Sequence, residues 1–172
     1  MGPRKARAGW SRTDLVLLGA LLLLLALMMI PRFAARLAAA RDARRLEDMQ
    51  RLEDALARYF RDHGCWPPAE ENLEQGGWDV SSDGEFVPAL AREGYLARTL
   101  HDPLDDEQFQ YRYRVFAPGS HGCGDGGAYY VLGLRAFETE ECAREARRSF
   151  ACPERDWGQE LAWSTGAFAL AR

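Results

Sequence analysis

Residues 9–31 read GWSRTDLVLLGALLLLLALMMIP, and this stretch decides the fold. It follows a basic leader, residues 1–9, and places an acid, Asp14, directly before the uncharged run Leu15 to Ile30. As a helix that run would rise about 24 Å, slightly less than the roughly 30 Å hydrocarbon core of a bilayer. A carboxylate at the mouth of a membrane helix costs free energy unless something compensates it. Function is therefore expected in how this helix is cut, held in the membrane and packed against copies of itself.

Charge is distributed unevenly along the chain and predicts how it lies across a membrane. The 172 residues carry a net charge of -4, yet residues 1–51 contain ten basic and four acidic side chains, for a net charge of +6. Four of the basic residues, Arg4, Lys5, Arg7 and Arg12, precede the apolar run, and basic residues in that position stay on the cytoplasmic side. We therefore predict a single-pass membrane protein, in contact with membrane lipid, with a cytoplasmic N-terminus and the bulk of the chain on the other side. The acidic remainder argues against nucleic acid as a partner.

Two simpler interpretations of the apolar run stay open. A cleaved secretory signal would also start with basic residues and continue with an apolar centre, and Ala38-Ala39-Ala40 could supply the cleavage site. A plain uncleaved anchor is the other alternative. Two features argue against a cleaved secretory signal. The apolar run is long for a signal, and the helical pattern continues far beyond the possible cleavage site.

Beyond Pro31 an amphipathic pattern predicts that the helix continues. A proline can kink a helix without ending it, whereas Gly64 and Pro67-Pro68 are strong stop signals. We predict one helix from about residue 14 to His63, divided into a transmembrane stem, residues 10–31, and an amphipathic half, residues 32–63. Its apolar stripe recurs at steps of three and four residues: Phe33, Leu37, Leu46, Met49, Leu52, Leu56, Tyr59 and Phe60.

Residues 64–172 are predicted to form a globular head with an antiparallel sheet. Alternation of apolar and polar side chains indicates strands, and clusters of Gly, Asp and Ser indicate loops. The predicted elements are a loop at 72–83, a short helix within 86–98, strands at 109–115, 129–137 and 161–170, and an exposed helical excursion at 138–148. Strands with one apolar face laid on an amphipathic helix make an α+β fold.

The register of the first residues resembles the type IV pilin superfamily. That family has a glycine before its cleavage site, an aromatic first residue, an acid fifth and a proline twenty-second. Counting from Trp10, this chain has Gly9 before the first residue, Asp14 fifth and Pro31 twenty-second. Two positions depart from the pattern, because Asp14 replaces the usual glutamate and Arg12 stands where an apolar residue is usual.

The head resembles the major pseudopilin of type II secretion systems. The matching motifs are the helix end Asp62–Pro67, Gly94-Tyr95-Leu96, Asp102-Pro103, Tyr111-Arg112-Tyr113, and Tyr130–Gly133 with the following Glu138. The similarity covers roughly residues 9 to 138, and the remaining residues match nothing in the family. The resemblance implies a pilin-like α+β fold, with one long N-terminal helix on a small antiparallel sheet.

The same resemblance implies a single-pass protein of the bacterial inner membrane with a periplasmic head. It would serve protein transport as a structural subunit of a periplasmic filament. A prepilin peptidase would cut after Gly9, with methylation of Trp10, and the subunit would polymerise with itself and with other pseudopilins. Assembly would take place on the inner-membrane secretion assembly platform. Within lipid, Asp14 could pair with the new α-amino group of Trp10 on a neighbouring copy and so set the axial register. Alternatively, Asp14 lies at the headgroup boundary and pairs locally with Arg12.

Two other functions stay open. The first is an uncleaved, membrane-tethered binding module with a pilin fold. The second is a minor pilin of a type IV or competence pilus. Pseudopilins often carry a calcium loop rich in Asp and Gly, but Glu138-Thr139-Glu140-Glu141 occupies its vicinity without that pattern. We therefore predict no cofactor and no metal.

The four cysteines suggest disulfides, because an exported head folds in oxidising surroundings. The preferred pairing joins Cys65 to Cys123 and Cys142 to Cys152. A competing hypothesis is a zinc site, since His63-Gly64-Cys65 and His121-Gly122-Cys123 repeat the same tripeptide. Their single intervening residue is tighter than usual zinc-ligand spacing.

The sequence contains no pattern that predicts enzymatic chemistry. Nucleophile elbows, phosphate loops, zinc-protease helices and paired-cysteine redox motifs are all missing from it. His101 beside Asp102 is interpreted as a loop pair rather than a catalytic base. We therefore predict that the protein is not an enzyme.

Overall fold

A computed structural model describes residues 11–70, 72–124 and 126–169. The first element, α1, is a helix of 52 residues spanning Arg12–His63 with Pro31 inside it. The helix α1 ends at His63, as the sequence predicts. It ends there because Gly64 adopts a left-handed φ of 71° and donates its N–H to the carbonyl of Phe60 at 2.8 Å.

The chain divides after Leu37 into two compact units. The part of α1 up to Leu37 belongs to the first unit, and its apolar side chains are exposed. The second unit, residues 38–172, is the head, and it contains the rest of α1 together with all the strands.

The head contains a four-stranded antiparallel sheet in the order β1-β2-β3-β6. Two short helices lie outside it, and a two-stranded ribbon, β4-β5, forms a second small sheet. The strands are β1 (Asp79–Val80), β2 (Tyr111–Phe116), β3 (Tyr129–Leu134), β4 (Ala151–Cys152), β5 (Arg155–Asp156) and β6 (Trp163–Phe168). The helices are α2 (Pro88–Arg92) and α3 (Glu140–Glu145).

One face of the sheet packs against the second half of α1. Met49, Leu52 and Leu56 of α1 are almost completely buried there, against Tyr111 from β2 and Leu132 from β3. This is the predicted arrangement of an amphipathic helix on a half-apolar sheet. It confirms the α+β fold class.

The opposite face of the sheet is covered by the C-terminal part of the chain. Trp157 is completely buried in an aromatic layer with Phe116 and Tyr129, and it lies in the 3₁₀ turn Trp157–Gln159. Every residue of β3 is buried, because both faces of this strand are covered. Gly133 of β3 is required by this packing, since a Cβ there would overlap the side chain of Leu161.

Several predicted elements differ in extent from the observed ones. The predicted loop 72–83 contains β1 and two 3₁₀ turns, Leu73–Gln75 and Ser81–Asp83, because short pairing with β2 orders it. The predicted helix within 86–98 is reduced to the five residues of α2. Phe33 and Leu37 of the predicted apolar stripe are 63% and 44% exposed, because they belong to the first unit and precede the part of α1 that packs on the sheet.

Candidate assembly and anchoring site

The first part of α1 exposes the apolar surface that the sequence assigns to the membrane. Between Leu15 and Ile30 the large apolar side chains are exposed, from 39% for Leu18 to 70% for Val16. This helix is long and apolar enough to cross a membrane, and it is the single such helix among the described residues. Side chains of this kind leave water only in lipid or against other apolar helices.

The beginning of α1 is capped by its own polar side chains. The backbone N–H of Ser11 donates to a carboxylate oxygen of Asp14 at 3.0 Å, and the backbone N–H of Thr13 donates to Oγ of Ser11 at 3.1 Å. The carbonyl of Ser11 accepts the N–H of Leu15 at 3.2 Å. This reciprocal arrangement is a capping box, in which two unpaired N–H groups at a helix start are satisfied by side chains.

The capping box gives Asp14 a partner inside its own chain. In the described part of the chain no ion pair joins Asp14 to Arg12, so the predicted local pair between them is not seen. The sequence already held the signal, because Ser11-Arg12-Thr13-Asp14 fits the pattern of a Ser or Thr followed three residues later by an acid.

The predicted processing residues, Gly9 and Trp10, lie outside the described residues. Pro31, which with Asp14 belongs to the register that the resemblance implies for filament assembly, lies inside α1. Next to it, Nη1 of Arg32 donates to the backbone carbonyl of Met28 at 3.2 Å. The helix continues through Pro31 to His63, which confirms the prediction that this proline does not end it.

A buried ion network joins the second half of α1 to the loops of the head. The guanidinium of Arg45 is completely buried, and it binds Asp102 in a bidentate fashion, through Nε at 2.6 Å and Nη2 at 2.8 Å. Its Nη1 donates to Asp42 at 2.7 Å and to Glu138 at 2.8 Å. The ring of Phe109 lies 4.8 Å from Cζ of Arg45. One cation thus joins α1 to the loop after α2 and to the segment after β3.

The remaining acceptor positions of the network are also occupied. Asp42 accepts the backbone N–H groups of Glu138 and Thr139 at 3.0 and 2.9 Å, and the hydroxyl of Thr139 at 2.7 Å. Glu138 accepts Nε of Arg41 at 2.7 Å. Buried charges are tolerated when their hydrogen-bonding capacity is satisfied in this way.

The network shifts the pKa values of Arg45 and Glu138. Burial by itself would lower the pKa of Arg45, but the hydrogen bonds and charges of Asp102, Glu138 and Asp42 raise it above its ordinary value. Hydrogen bonds from Arg41 and Arg45 lower the pKa of Glu138 to about 2, against the opposing effect of burial. Arg45 and Glu138 are therefore both charged at neutral pH.

A second buried carboxylate lies one turn further along α1. Asp48 accepts the phenol hydroxyl of Tyr111 at 2.9 Å, which links α1 directly to the sheet. Burial raises the pKa of Asp48, while the Tyr111 hydroxyl and the nearby Arg44 act in the opposite direction. Burial and the Asp48 charge raise the pKa of Tyr111.

The sequence analysis does not identify this network, because charged side chains between the apolar positions of an amphipathic helix are normally expected on its exposed face. Asp42, Arg45 and Asp48 continue the helical spacing of Met49 and Leu52, and that spacing was the available signal. Glu138 was assigned to an exposed excursion, but its side chain is only 12% exposed. The following helix, α3, has no buried residue, as predicted for an excursion.

The predicted pair of His101 and Asp102 is not formed. Nδ1 of His101 lies 3.1 Å from both a carboxylate oxygen of Asp105 and the carbonyl of Ser81. Asp102 instead binds Arg45, because the buried guanidinium offers it two donors.

The preferred cysteine pairing is wrong. The disulfide joins Cys123 to Cys152, whereas Cys65 is free and exposed and Cys142 is free and half-buried. The reason is the folding of the C-terminal part over the sheet, which brings β4 to the segment containing Cys123. The bond also excludes Cys123 as a zinc ligand in the form described, and no group of three or more metal-binding side chains occurs among the described residues.

Comparison with known proteins gives no family. No known protein-family description, no curated protein and no solved structure matches this chain. The architecture itself is pilin-like in general terms, with a long apolar N-terminal helix whose second half packs on an antiparallel sheet.

Proposed function

We propose that this chain is a pseudopilin-like structural subunit that polymerises through its N-terminal helix into a periplasmic filament for type II protein secretion. The observation that carries the proposal is α1 itself. Its first part exposes an uninterrupted apolar surface, and its second part is fixed in the head by a buried core and a buried ion network. A helix with these two parts suits a subunit whose stem is held in the membrane while its head lies in water.

The apolar stem supplies the interaction that assembly needs. Helices in lipid associate through close side-chain packing and through polar groups that find partners across the interface. The stem offers thirteen exposed leucine, valine, methionine and isoleucine side chains, together with Gly19 and the acid Asp14. Sister stems would bury these apolar side chains, and a partner cation from a sister stem would compensate Asp14.

The proposal includes its processing and its partners. A prepilin peptidase would cut after Gly9, and the α-amino group of Trp10 would then be available to Asp14 of a neighbouring copy. The inner-membrane secretion platform and other pseudopilins would be the further partners. The basic residues before the apolar run, Arg4, Lys5, Arg7 and Arg12, support a cytoplasmic N-terminus and a periplasmic head.

The capping box favours a second candidate function. Because Asp14 already accepts the N–H of Ser11, its presence is explained without any neighbouring subunit. The second candidate is therefore an uncleaved, membrane-tethered pilin-fold binding module that works as a monomer.

Substitutions at the helix start separate the two candidates. Asp14→Asn removes the charge but keeps an oxygen that can accept the N–H of Ser11. Ser11→Ala removes the hydroxyl that accepts the N–H of Thr13 and keeps the Asp14 charge. If Asp14 pairs between subunits, the Asn variant fails to assemble and the Ala variant assembles normally. If Asp14 is only a cap, the Asn variant assembles as well as the unaltered chain.

Assembly is measured by disulfide cross-linking in membranes. A cysteine introduced at Val16, in a background of Cys65→Ser and Cys142→Ser, reports stem-to-stem contact without interference from the free thiols. The intact mass of the extracted protein reports whether residues 1–9 have been removed. A monomer that retains Met1 would overturn the filament proposal in favour of the tethered module.

A further inference from the structure

A cleft at the surface of the head is lined by basic side chains. It has a volume of about 420 Å³, and its lining comes from α1 and from the segment that follows α2. The lining residues are Arg44, Arg98, Thr99, Leu100 and His101. Among the described residues that line the cleft, two are therefore arginines, one is a histidine and none is an acid. Sites that bind small molecules usually have volumes of roughly 300–1,000 Å³, so the cleft is large enough for such a ligand.

Both arginines of the cleft keep most of their donors free. The side chain of Arg98 is exposed, and it makes no hydrogen bond or ion pair within the described part of the chain. Arg44 is 54% exposed, and Nε lies 3.7 Å from a carboxylate oxygen of Asp48, which is too long for a hydrogen bond. Asp48 is itself only 2% exposed and accepts the hydroxyl of Tyr111. The nearest acid is therefore held in the interior, while the two guanidinium groups remain available to a ligand.

The imidazole of His101 is oriented by a chain of hydrogen bonds that begins in the sheet. The backbone N–H of Tyr111 donates to Oγ of the buried Ser81 at 3.0 Å, and Oγ donates to Asp105 at 2.6 Å. Nδ1 of His101 lies 3.1 Å from Asp105 and 3.1 Å from the carbonyl of Ser81. Because both of these partners are acceptors, Nδ1 carries a proton. The opposite ring nitrogen, Nε2, makes no hydrogen bond within the described residues and is left for a ligand.

The two sides of the cleft are held together by the buried ion network. Arg44 directly precedes Arg45 on α1, and His101 directly precedes Asp102 in the segment after α2. The bidentate bond from Arg45 to Asp102 therefore fixes the backbone on both sides of the cleft. Oδ1 of Asp102 also accepts the backbone N–H of Leu104 at 2.9 Å, which orders the loop that follows. A site whose walls are already fixed loses little conformational entropy when a ligand binds.

We propose that this cleft binds a phosphate group, with Arg44, Arg98 and His101 as its ligands. The planar fork of a guanidinium matches the oxygens of a phosphate, and charge-assisted hydrogen bonds of this kind are among the strongest in proteins. A phosphate presents acceptor oxygens in several directions, so it can use donors from both sides of the cleft. Free inorganic phosphate and the phosphodiester headgroup of an anionic lipid share this chemistry. The inference concerns the head alone and does not depend on the proposed function.

Isothermal titration calorimetry of the full chain tests the site. The protein is kept in micelles of an alkyl maltoside, whose headgroup contains no phosphate, at physiological ionic strength. One arm uses inorganic phosphate, and the other uses glycerophosphoglycerol, which is the water-soluble headgroup of phosphatidylglycerol. We expect saturable binding of one anion per chain in at least one arm. Tighter binding of inorganic phosphate would indicate free phosphate as the ligand, and tighter binding of glycerophosphoglycerol would indicate the lipid headgroup.

Arg98→Gln removes one proposed ligand without disturbing the fold, because Arg98 is exposed and has no partner among the described residues. It should weaken binding at least about tenfold, since a charge-assisted hydrogen bond is lost. Arg44→Gln should weaken binding in the same way from the other side of the cleft. The denaturation midpoint of Arg98→Gln should equal that of the unaltered chain, which separates loss of the site from loss of the fold.

Arg61→Gln is the matched control. Arg61 is an exposed arginine in the last turn of α1, and it does not line the cleft. The control changes the net charge by the same amount as Arg98→Gln and should keep the affinity of the unaltered chain. Equal weakening in Arg61→Gln and Arg98→Gln would show attraction by the overall charge alone and would overturn the proposal. Failure of the unaltered chain to bind either anion would also overturn it.

Discussion

Arg45 shows why one side chain can decide how α1 sits in the head. Its guanidinium is removed from water and satisfied by three carboxylates from three parts of the chain. A buried ion pair contributes little net stability compared with a well-packed apolar group, but removal of one partner leaves uncompensated buried charge. Removal of Arg45 alone should therefore lower the free energy of unfolding by more than the whole network contributes to it relative to apolar side chains.

Arg45→Met should destabilise the protein by about 3–5 kcal/mol at neutral pH, because Asp42 and Asp102 would keep buried charges without their cation. Chemical denaturation monitored by tryptophan fluorescence measures the change. Arg144→Met is the control, since Arg144 is exposed and its Nε donates to the backbone carbonyl of Glu140 on its own helix. It should cost less than about 1 kcal/mol. Equal losses in the two variants would contradict the assigned role of Arg45.

Glu138 should give the head a measurable acid sensitivity. Its pKa is lowered to about 2 by Arg41 and Arg45, so its contribution is present above the ordinary value of 4.5 and is lost as the pH falls towards 2. Between pH 5 and pH 3 the unaltered chain should therefore lose more stability than Glu138→Gln. Denaturation midpoints at the two pH values measure this. Glu160→Gln, which alters an exposed pair with Arg155, should follow the unaltered chain.

For single residues, the sequence predicts local features better than hydrogen-bond and ion-pair partners that are distant along the chain. The acid at position 14 and the uninterrupted helix at Pro31 are readable from the sequence alone. The partners of Arg45 are not, because Asp102 and Glu138 lie 57 and 93 residues away along the chain. The partner of Asp14 within the capping box was readable, since it is only three residues away.

Among the elements, the ribbon β4-β5 depends most on a covalent bond. Its strands have two residues each, and the disulfide from Cys152 to Cys123 ties it to the segment before β3. Cross-linking residues 29 positions apart reduces the entropy of the unfolded chain by an amount worth roughly 3–4 kcal/mol in the loop-closure model. The aromatic layer under the ribbon thus depends on this bond for part of its stability.

Replacement of both Cys123 and Cys152 by serine should lower the free energy of unfolding by about 2–5 kcal/mol. Thermal unfolding under oxidising conditions measures the loss. Cys65→Ser should have little effect, because Cys65 is exposed and free. Peptide mapping without reduction should recover the 123–152 link together with alkylated Cys65 and Cys142. Recovery of a link between Cys65 and Cys123 would contradict the structure.

Long elements with a clear period were predictable, and short ones were not. The alternation in residues 109–115 and the apolar run from Tyr129 correspond to β2 and β3, and the three- and four-residue steps correspond to α1. By contrast, β1, β4 and β5 have two residues each, too few to show any period. Their pairing is set by tertiary contacts, and so is the disulfide connectivity.

At the scale of the whole molecule, the head has a core that does not include the stem. The buried residues of α1 begin at Asp42, and every residue of both hydrophobic clusters lies in the head. A fragment comprising residues 38–172 should therefore fold in aqueous buffer without detergent. Size-exclusion chromatography and near-UV circular dichroism test this.

The fragment also separates the two parts of the proposed function. It should be monomeric, because the exposed apolar stem is removed, and its thermal unfolding should resemble that of the full chain in micelles. An oligomeric fragment would show that the head carries an assembly surface of its own. A fragment that fails to fold would show that the stem contributes to the stability of the head.

The bond between Cys123 and Cys152 also has a consequence for folding if the head is exported as proposed. In that topology a newly made chain faces the reducing cytosol, where the two thiols stay reduced and residues 150–160 lack their covalent tie over the sheet. The head would then reach its full stability only after translocation. Copies still inside the cell should be cut by proteases at residues 150–160 more readily than exported copies.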